Sequence, residues 1–152
     1  MKRSRPQRIL AVASSGGHWV QLRRLEPAFE GHDVAYLTTH AGHRADVAPA
    51  RFHTVADANR GSRAALAASA LKILWVLMRE RPDVVVSTGA APGYLAIRIG
   101  KLLGARTLWI DSVANVEELS LSGRMASRRA DVCLTQWPDL AGGPVRYRGA
   151  VL

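Results

Sequence analysis

The sequence predicts an α/β domain built on a doubly wound parallel sheet, and three observations carry that expectation. Short, near-continuous apolar runs recur along the chain, Val84-Val85-Val86 being the clearest. Stretches of helical apolar spacing separate most of these runs. Glycine-bearing turns follow two of the runs where a strand hands over to a helix. Strands that do not alternate apolar with polar are buried on both faces, as parallel strands are, and helical crossovers return the chain to the same sheet.

In chain order, strands are expected at residues 8–13, 33–38, a weak 51–55, 83–87, 106–111, 131–135 and a short 145–147. Helices are expected at 18–29, 62–80, 91–103 and 121–129. Open sheets of this kind bind ligands beyond the carboxyl ends of their strands. The loops to watch are therefore 14–18, 38–43, 87–93, 111–119 and 136–140. A basic arm over residues 1–7 precedes a single domain over 8–152, and no internal repeat or low-complexity tract interrupts it.

The hydrophobic share of 48% excludes disorder. The 21 Lys and Arg against 12 Asp and Glu leave a net charge of +9. That balance suits an anionic partner such as nucleic acid, anionic lipid or a phosphorylated substrate, and it equally suits a solubilising surface. Part of the excess lies in the first eight residues, which carry Lys2, Arg3, Arg5 and Arg8. The apolar run that follows is too short for a signal-peptide core. No helix carries a Lys/Arg stripe with interleaved aromatics, which argues against a nucleic-acid module. The one cysteine, Cys133, lies in an apolar stretch and reads as a reduced core thiol of a cytosolic protein.

After the first strand, Ser14-Ser15-Gly16-Gly17-His18 leads directly into a helix. Two glycines let a ligand approach the backbone, and the helix N-terminus then offers free N–H groups and a positive dipole end to a phosphate. The turn is neither the GxGxxG fingerprint nor a Walker loop, and no acidic residue suited to a ribose follows the second strand. A purely structural turn with a serine cap would use the same residues. Ser87-Thr88-Gly89-Ala90-Ala91-Pro92-Gly93 repeats the arrangement after the fourth strand, so two such turns share one sheet edge. Its glycines could also serve tight strand–helix packing alone. His18 heads the first helix, where the dipole favours a neutral, base-competent imidazole, although a cap or surface role is open to it too. Asp111 ends the fifth strand, placed either to enter the same cleft or to fix its own loop.

The most apolar segment, residues 64–78, has Arg60 and Arg63 before it and Arg79 and Arg81 after it. Fifteen residues interrupted by Lys72 fall short of the roughly 20 that span a bilayer. Leu66, Ala70, Ile73, Leu74 and Leu77 are expected to cover the sheet, which leaves Leu71, Trp75 and Met78 spare. With basic flanks, that spare face suits a membrane interface, a second buried side or a protein partner.

Taken in order, these pieces resemble a known family. The matching residues are Ala13 to His18 with Gln21-Leu22, Arg81 to Ala90, Gly100 to Gly104, Trp109-Ile110-Asp111-Ser112, Leu119 to Arg124, Ala130-Asp131 and Gln136-Trp137-Pro138. The chain is similar over residues 8–152 to the PssD/EpsE-type exopolysaccharide glycosyltransferase subunits. Their relatives are the eukaryotic membrane-anchor subunit of the two-part N-acetylglucosaminyltransferase of N-glycan precursor synthesis and the N-terminal half of MurG-type enzymes.

The resemblance implies a Rossmann-like fold equivalent to the acceptor half of a GT-B glycosyltransferase. It implies that a separate small UDP-sugar-binding subunit supplies the donor domain, which fits a chain ending where a second domain would begin. The acceptor it implies is a polyprenyl-pyrophosphate-linked sugar at an anionic membrane surface, on the cytoplasmic face. No metal or cofactor is expected. By carry-over, His18 is the candidate general base for inverting transfer, Asp111 is the second candidate catalytic residue, and Asp111 and Ser112 stand near the acceptor sugar. Ser14, Ser15, Gly16, Gly17, Thr88, Gly89 and Ala90 line the acceptor pyrophosphate, and Gln136, Trp137 and Pro138 edge the partner domain. Leu71, Trp75 and Met78 are the candidate membrane contacts. Where many relatives read Glu-Ser-Phe-Ala-Arg, this chain has Asp111-Ser112-Val113-Ala114-Asn115, which puts the identity of the acceptor sugar in question. Two other readings stay open: a self-sufficient Rossmann-type phosphosugar enzyme and a non-catalytic recruiter of the donor subunit.

Overall fold

The computed structural model describes residues 5–57 and 62–151, so Lys2, Arg3 and Arg60 lie outside the described residues. Seven strands form one sheet: β1 Arg8–Ala13, β2 Asp33–Thr38, β3 Arg51–Thr54, β4 Val84–Gly89, β5 Arg106–Ile110, β6 Val132–Thr135 and β7 Val145–Tyr147. Their order is β3-β2-β1-β4-β5-β6-β7, with every pairing parallel. The helices are α1 Gly17–Arg24, α2 Arg44–Val47, α3 Arg63–Glu80, α4 Ala91–Leu102 and α5 Leu121–Ser127. The chain builds outward from β1 to β3, returns through α3 to β4 on the other side of β1, and builds outward again to β7. The order therefore reverses between β1 and β4, which is where open sheets of this class part to admit a ligand.

Successive residues of β1 face opposite layers, as strand geometry requires. Leu10 and Val12 pack with Ile73 and Leu77 of α3, Ile97 of α4, Ala126 of α5 and Trp109. Ile9, Ala11 and Ala13 pack in a second layer with Trp19 and Leu22 of α1, Tyr36, Val86 and Phe52. Full burial of each such aliphatic side chain contributes about 1.5–3 kcal/mol, so apolar packing on both faces holds the sheet between its two layers. Cys133 is buried here, and burial, followed by the nearby Asp111 charge, pushes its thiol up to about 12. It is a core residue, not a reactive one.

Two expectations shift. The first helix stops at Arg24, and residues Glu26–Phe29 form a tighter 3-10 turn. Pro27 is the reason, since it lacks the N–H that an α-helix would need there. The sheet-facing stripe of α3 is Ser69, Ile73, Val76, Leu77 and Glu80, while Leu66 is 40% exposed. Ala70 and Leu74 are only half-buried. The helix is thus rotated from the expected face, and Leu66 joins Leu71, Trp75 and Met78 on the exposed side. The start of α3 is capped by the Ser62 hydroxyl, which accepts from the Ala65 N–H at 3.2 Å. Its end falls at Arg81, in left-handed conformation at φ 47° just before Pro82.

Glu80, buried at that helix end, accepts from Arg51 at 2.8 Å and pairs with His53 at 2.7 Å. Arg51 also reaches Asp33, so edge strand β3 and its neighbour β2 are tied to α3 by one charged cluster. Burial alone would raise the Glu80 carboxyl, but its bonds from His53 and Arg51 hold it below the ordinary value. The Arg8 N–H likewise lowers Asp83. For Asp131, the Thr107 and Lys101 donors outweigh burial and lower it as well. Carboxyls depressed in the folded state contribute stability above their unfolded values, and that stability drains away as pH falls through the folded values. Urea unfolding should therefore show stability dropping as pH falls below about 4.3. Glu80→Gln should be less stable at pH 7 and should lose less than the parent on acidification.

Candidate functional site

The two glycine turns meet at the reversal point, at the carboxyl ends of β1 and β4. In the first turn Gly16 takes φ 84°, a conformation costly for any residue with a side chain. A Cβ at Gly16 or Gly17 would meet nothing within 4 Å, so that side of the turn is open. α1 begins at Gly17 with no side-chain cap, leaving its leading N–H groups without helical partners.

His18 and Thr88 bind each other twice. The His18 Nδ1 lies 3.0 Å from the Thr88 carbonyl oxygen, and the Thr88 hydroxyl donates to the His18 carbonyl at 2.7 Å. The Ser14 N–H adds a bond to the Gly89 carbonyl at 3.3 Å. A carbonyl oxygen only accepts, so Nδ1 carries a hydrogen and, in the neutral ring, Nε2 carries the lone pair. Gly89, at φ 138°, permits this approach, because a Cβ there would run into the His18 ring. Ala90 follows at φ 35° as the cap of α4, a strained conformation for a non-glycine residue and one that concentrates at functional sites.

Asp111 is 1% exposed, and the protein's own donors occupy both of its oxygens. Oδ1 accepts from the Ser120 hydroxyl at 2.6 Å and the Trp109 indole at 3.1 Å. Oδ2 accepts from the Ser120 N–H at 2.9 Å and the Asn115 amide at 3.1 Å. The carboxylate thus gathers the 111–120 loop, and Ser120 in turn caps α5 through the Gly123 N–H at 2.8 Å. This geometry matches the loop-fixing alternative for Asp111, not a group free to meet a substrate.

Ser112 is buried, and its hydroxyl accepts from the Gln21 amide at 3.1 Å. The Gln21 carbonyl accepts from Gln136 at 2.6 Å and from the Val113 N–H at 3.2 Å. Gln136 also donates to the Asp111 carbonyl at 2.9 Å and accepts from the Val151 N–H at 2.7 Å. Gln136 is therefore an interior bridge; of the expected edge, only Trp137 and Pro138 reach the surface, with the Trp137 indole donating to the Val113 carbonyl at 2.7 Å. Gln21 matters more than its place in the sequence suggested. Sitting one turn after His18, it links α1 to the loops after β5 and β6. Its helical spacing from His18 was the signal available.

Leu71, Trp75 and Met78 lie apart from the cleft on the outer face of α3, 67%, 49% and 60% exposed. Lys72 and Arg79 stand over the Trp75 ring at 4.6 and 5.5 Å. Among the described residues no helix is long and apolar enough to cross a membrane, and no group of three His, Cys, Asp or Glu is placed to hold a metal.

Comparison with known proteins now bears on this geometry. The model of the family "Oligosaccharide biosynthesis protein Alg14 like" matches residues 47–151. The chain belongs to that family. The UDP-N-acetylglucosamine transferase subunit ALG14 of Eremothecium gossypii is 30% identical over 181 residues, covering 97% of this chain and 79% of that protein. The corresponding subunit of Schizosaccharomyces pombe is 39% identical over 67 residues, 40% of this chain and 31% of the relative. The Acinetobacter baumannii MurG structure superposes with a TM-score of 0.76 at 16% identity, over 93% of this chain. The chain spans 45% of that MurG, and 46% of a Rickettsia bellii UDP-N-acetylglucosamine 2-epimerase that superposes at a TM-score of 0.72 and 12% identity. Those likenesses show the fold. The Rossmann-like half of a GT-B architecture and the glycosyltransferase-subunit class expected from sequence both hold for this Alg14-like chain.

Removing the Asp111 carboxylate would strand four donors in a buried loop. Asp111→Ala should lower stability by about 2–3 kcal/mol, read as a shifted urea midpoint, with Asp111→Asn costing less.

Proposed function

We propose that this chain is the acceptor-binding half of a two-component inverting glycosyltransferase that moves a sugar from a UDP-sugar to a polyprenyl-pyrophosphate-linked acceptor. The observation that carries the reading is the His18 imidazole, held by Thr88 at the reversal point of the sheet with its Nε2 left for a substrate. In the proposed step, Nε2 takes the proton of the acceptor hydroxyl as its oxygen bonds to the anomeric carbon and the bond to UDP breaks. The open Gly16–Gly17 turn, the leading N–H groups of α1 and the Ser14 and Ser15 positions receive the acceptor pyrophosphate. The matching turn at Thr88, Gly89 and Ala90 closes its other side. Asp111, Ser112 and Gln136 act as positioning residues that fix the cleft wall. The donor sits on a separate small UDP-sugar-binding subunit that meets the edge at Trp137 and Pro138. The word "subunit" and the UDP-sugar in the relatives' names support this division of labour.

The net positive charge and the exposed Leu66, Leu71, Trp75 and Met78 face support a peripheral site on the cytoplasmic face of an anionic membrane, where the lipid-linked acceptor resides.

Two measurements test the reading. In the reconstituted pair, His18→Ala should lower kcat by about 10²–10⁴-fold with the chain still folded and the complex intact. Full activity would make the chain a recruiter only, and transfer by the chain alone would favour a self-sufficient enzyme. Replacing Leu71, Trp75 and Met78 with serine should cut co-sedimentation with phosphatidylglycerol vesicles by roughly tenfold or more. Unchanged binding would remove that face from membrane contact.

A further inference from the structure

On the far side of the first glycine turn from Thr88 stands a second group of side chains, of which the proposed transfer uses Ser15 alone, as part of the turn that receives the pyrophosphate. The Ser15 hydroxyl lies 2.9 Å from His43 Nε2, and His43 Nδ1 lies 3.0 Å from Asp46 Oδ2. Serine, imidazole and carboxylate are thus in line at hydrogen-bond distance, drawn from the turn after β1 and the segment after β2. Parallel pairing of those two strands brings them together.

Every member is held. The Ser15 N–H donates to the Thr39 hydroxyl at 2.9 Å. The His43 ring stacks on the buried Trp19 indole, centroids 4.8 Å apart at 24°. Asp46 also accepts from the Trp19 indole N–H at 3.0 Å, and Arg23 lies 3.9 Å from the same oxygen. The bond from Trp19, then that from His43, hold the Asp46 carboxyl below its ordinary value, so it stays ionised and accepts. An ionised carboxylate at Nδ1 requires that nitrogen to carry the hydrogen, which leaves Nε2 to take the Ser15 proton. His40 is the other imidazole at this ring, 5.5 Å away edge-on. Ser15 is exposed on a strand-to-helix turn, and the uncapped amides of α1 follow it in the chain.

We propose that Ser15 is an activated nucleophile and that the Ser15–His43–Asp46 group hydrolyses carboxylic esters. Ser15 Oγ bonds to the ester carbonyl carbon while its proton passes to His43 Nε2. The carbon–oxygen bond to the alcohol breaks, the alcohol leaves with that proton, and an acyl-Ser15 remains. Water then attacks the acyl carbon, giving its proton to Nε2; the acid departs and Ser15 is reprotonated. The net change is ester plus water to acid plus alcohol. Asp46 is a positioning residue throughout. This activity needs no partner chain, so its failure leaves the transferase reading untouched, and the converse also holds.

The full chain alone is treated with a fluorophosphonate, which loses fluoride to an activated serine. It is then digested with trypsin, and fragmentation of peptide 9–23 separates Ser14 from Ser15. The expected result is an adduct at Ser15, absent in Ser15→Ala and formed at least about tenfold more slowly in His43→Gln and Asp46→Asn. Hydrolysis of p-nitrophenyl acetate should fall in the same variants. If His43→Gln does not fold, as judged by circular dichroism, Asp46→Asn carries the comparison. An unlabelled Ser15 in the parent, or labelling as fast in the folded variants, overturns the proposal. So does an adduct that forms while the ester is left intact.

Discussion

The reciprocal bond between His18 and Thr88 is the contact on which the cleft depends. It joins the turns that follow β1 and β4, the two strands between which the sheet order reverses. Without it the start of α1 and the start of α4 would be separate helix ends beyond neighbouring strands. With it, both helix N-termini and both glycine turns share one frame, and the imidazole is fixed in tautomer and orientation. Gly89 is needed because the ring occupies the space that a side chain there would fill. Packing, backbone geometry and proton placement meet at one residue pair.

The rest of the cleft wall is satisfied internally. Asp111 meets four donors, and Gln21, Ser112 and Gln136 bond to one another and to backbone. Buried polar groups of this kind are costly when unpaired and rigid when complete. The wall is therefore stiff, while the Gly16–Gly17 side of the first turn is open. A stiff wall beside an open backbone suits a ligand bound by main-chain N–H groups, whose positions must be fixed for such weak donors to discriminate. It also explains why a carboxylate at the carboxyl end of a strand need not be chemical.

The central strands were legible to within about two residues because burial on both faces leaves an apolar run, a local signal, whereas edge strands β3 and β7 carry only a short, weak one. Also legible were the two glycine turns that the structure brings together, since turns at strand ends are local too. What could not be read were choices made by tertiary contact. In α3 every face is apolar enough to bury, and the pairing of Ser69 with the Ala56 carbonyl and of Glu80 with Arg51 and His53 decides the rotation. Val76 then goes in and Leu66 out. Pro27, by contrast, was in plain view, and its missing N–H ends α1 early. Asp111 was correctly placed in the fold, but its partner Ser120 is nine residues away across a loop with no periodicity. The Ser15–His43–Asp46 group spans two loops whose contact follows only from β1 lying next to β2. Serine after one strand and histidine with aspartate after its neighbour is a pattern that the topology brings to hydrogen-bond distance.

His18 and His43 show how a fold differentiates identical side chains. Both rings sit near the N-terminus of α1, and both have Nδ1 occupied. His18 gives its Nδ1 hydrogen to a neutral carbonyl, which fixes orientation and brings no charge. His43 gives its own to a carboxylate, which also stabilises the positive charge that develops when the ring takes a proton. The first arrangement suits a base that must work beside a phosphorylated ligand, whose own negative charge already stabilises a protonated ring. The second suits a base that must draw a proton from a serine hydroxyl without such help. The difference comes from the third element of each group, a strand-end carbonyl in one case and a helix carboxylate in the other. The division of roles follows from which strand each loop leaves.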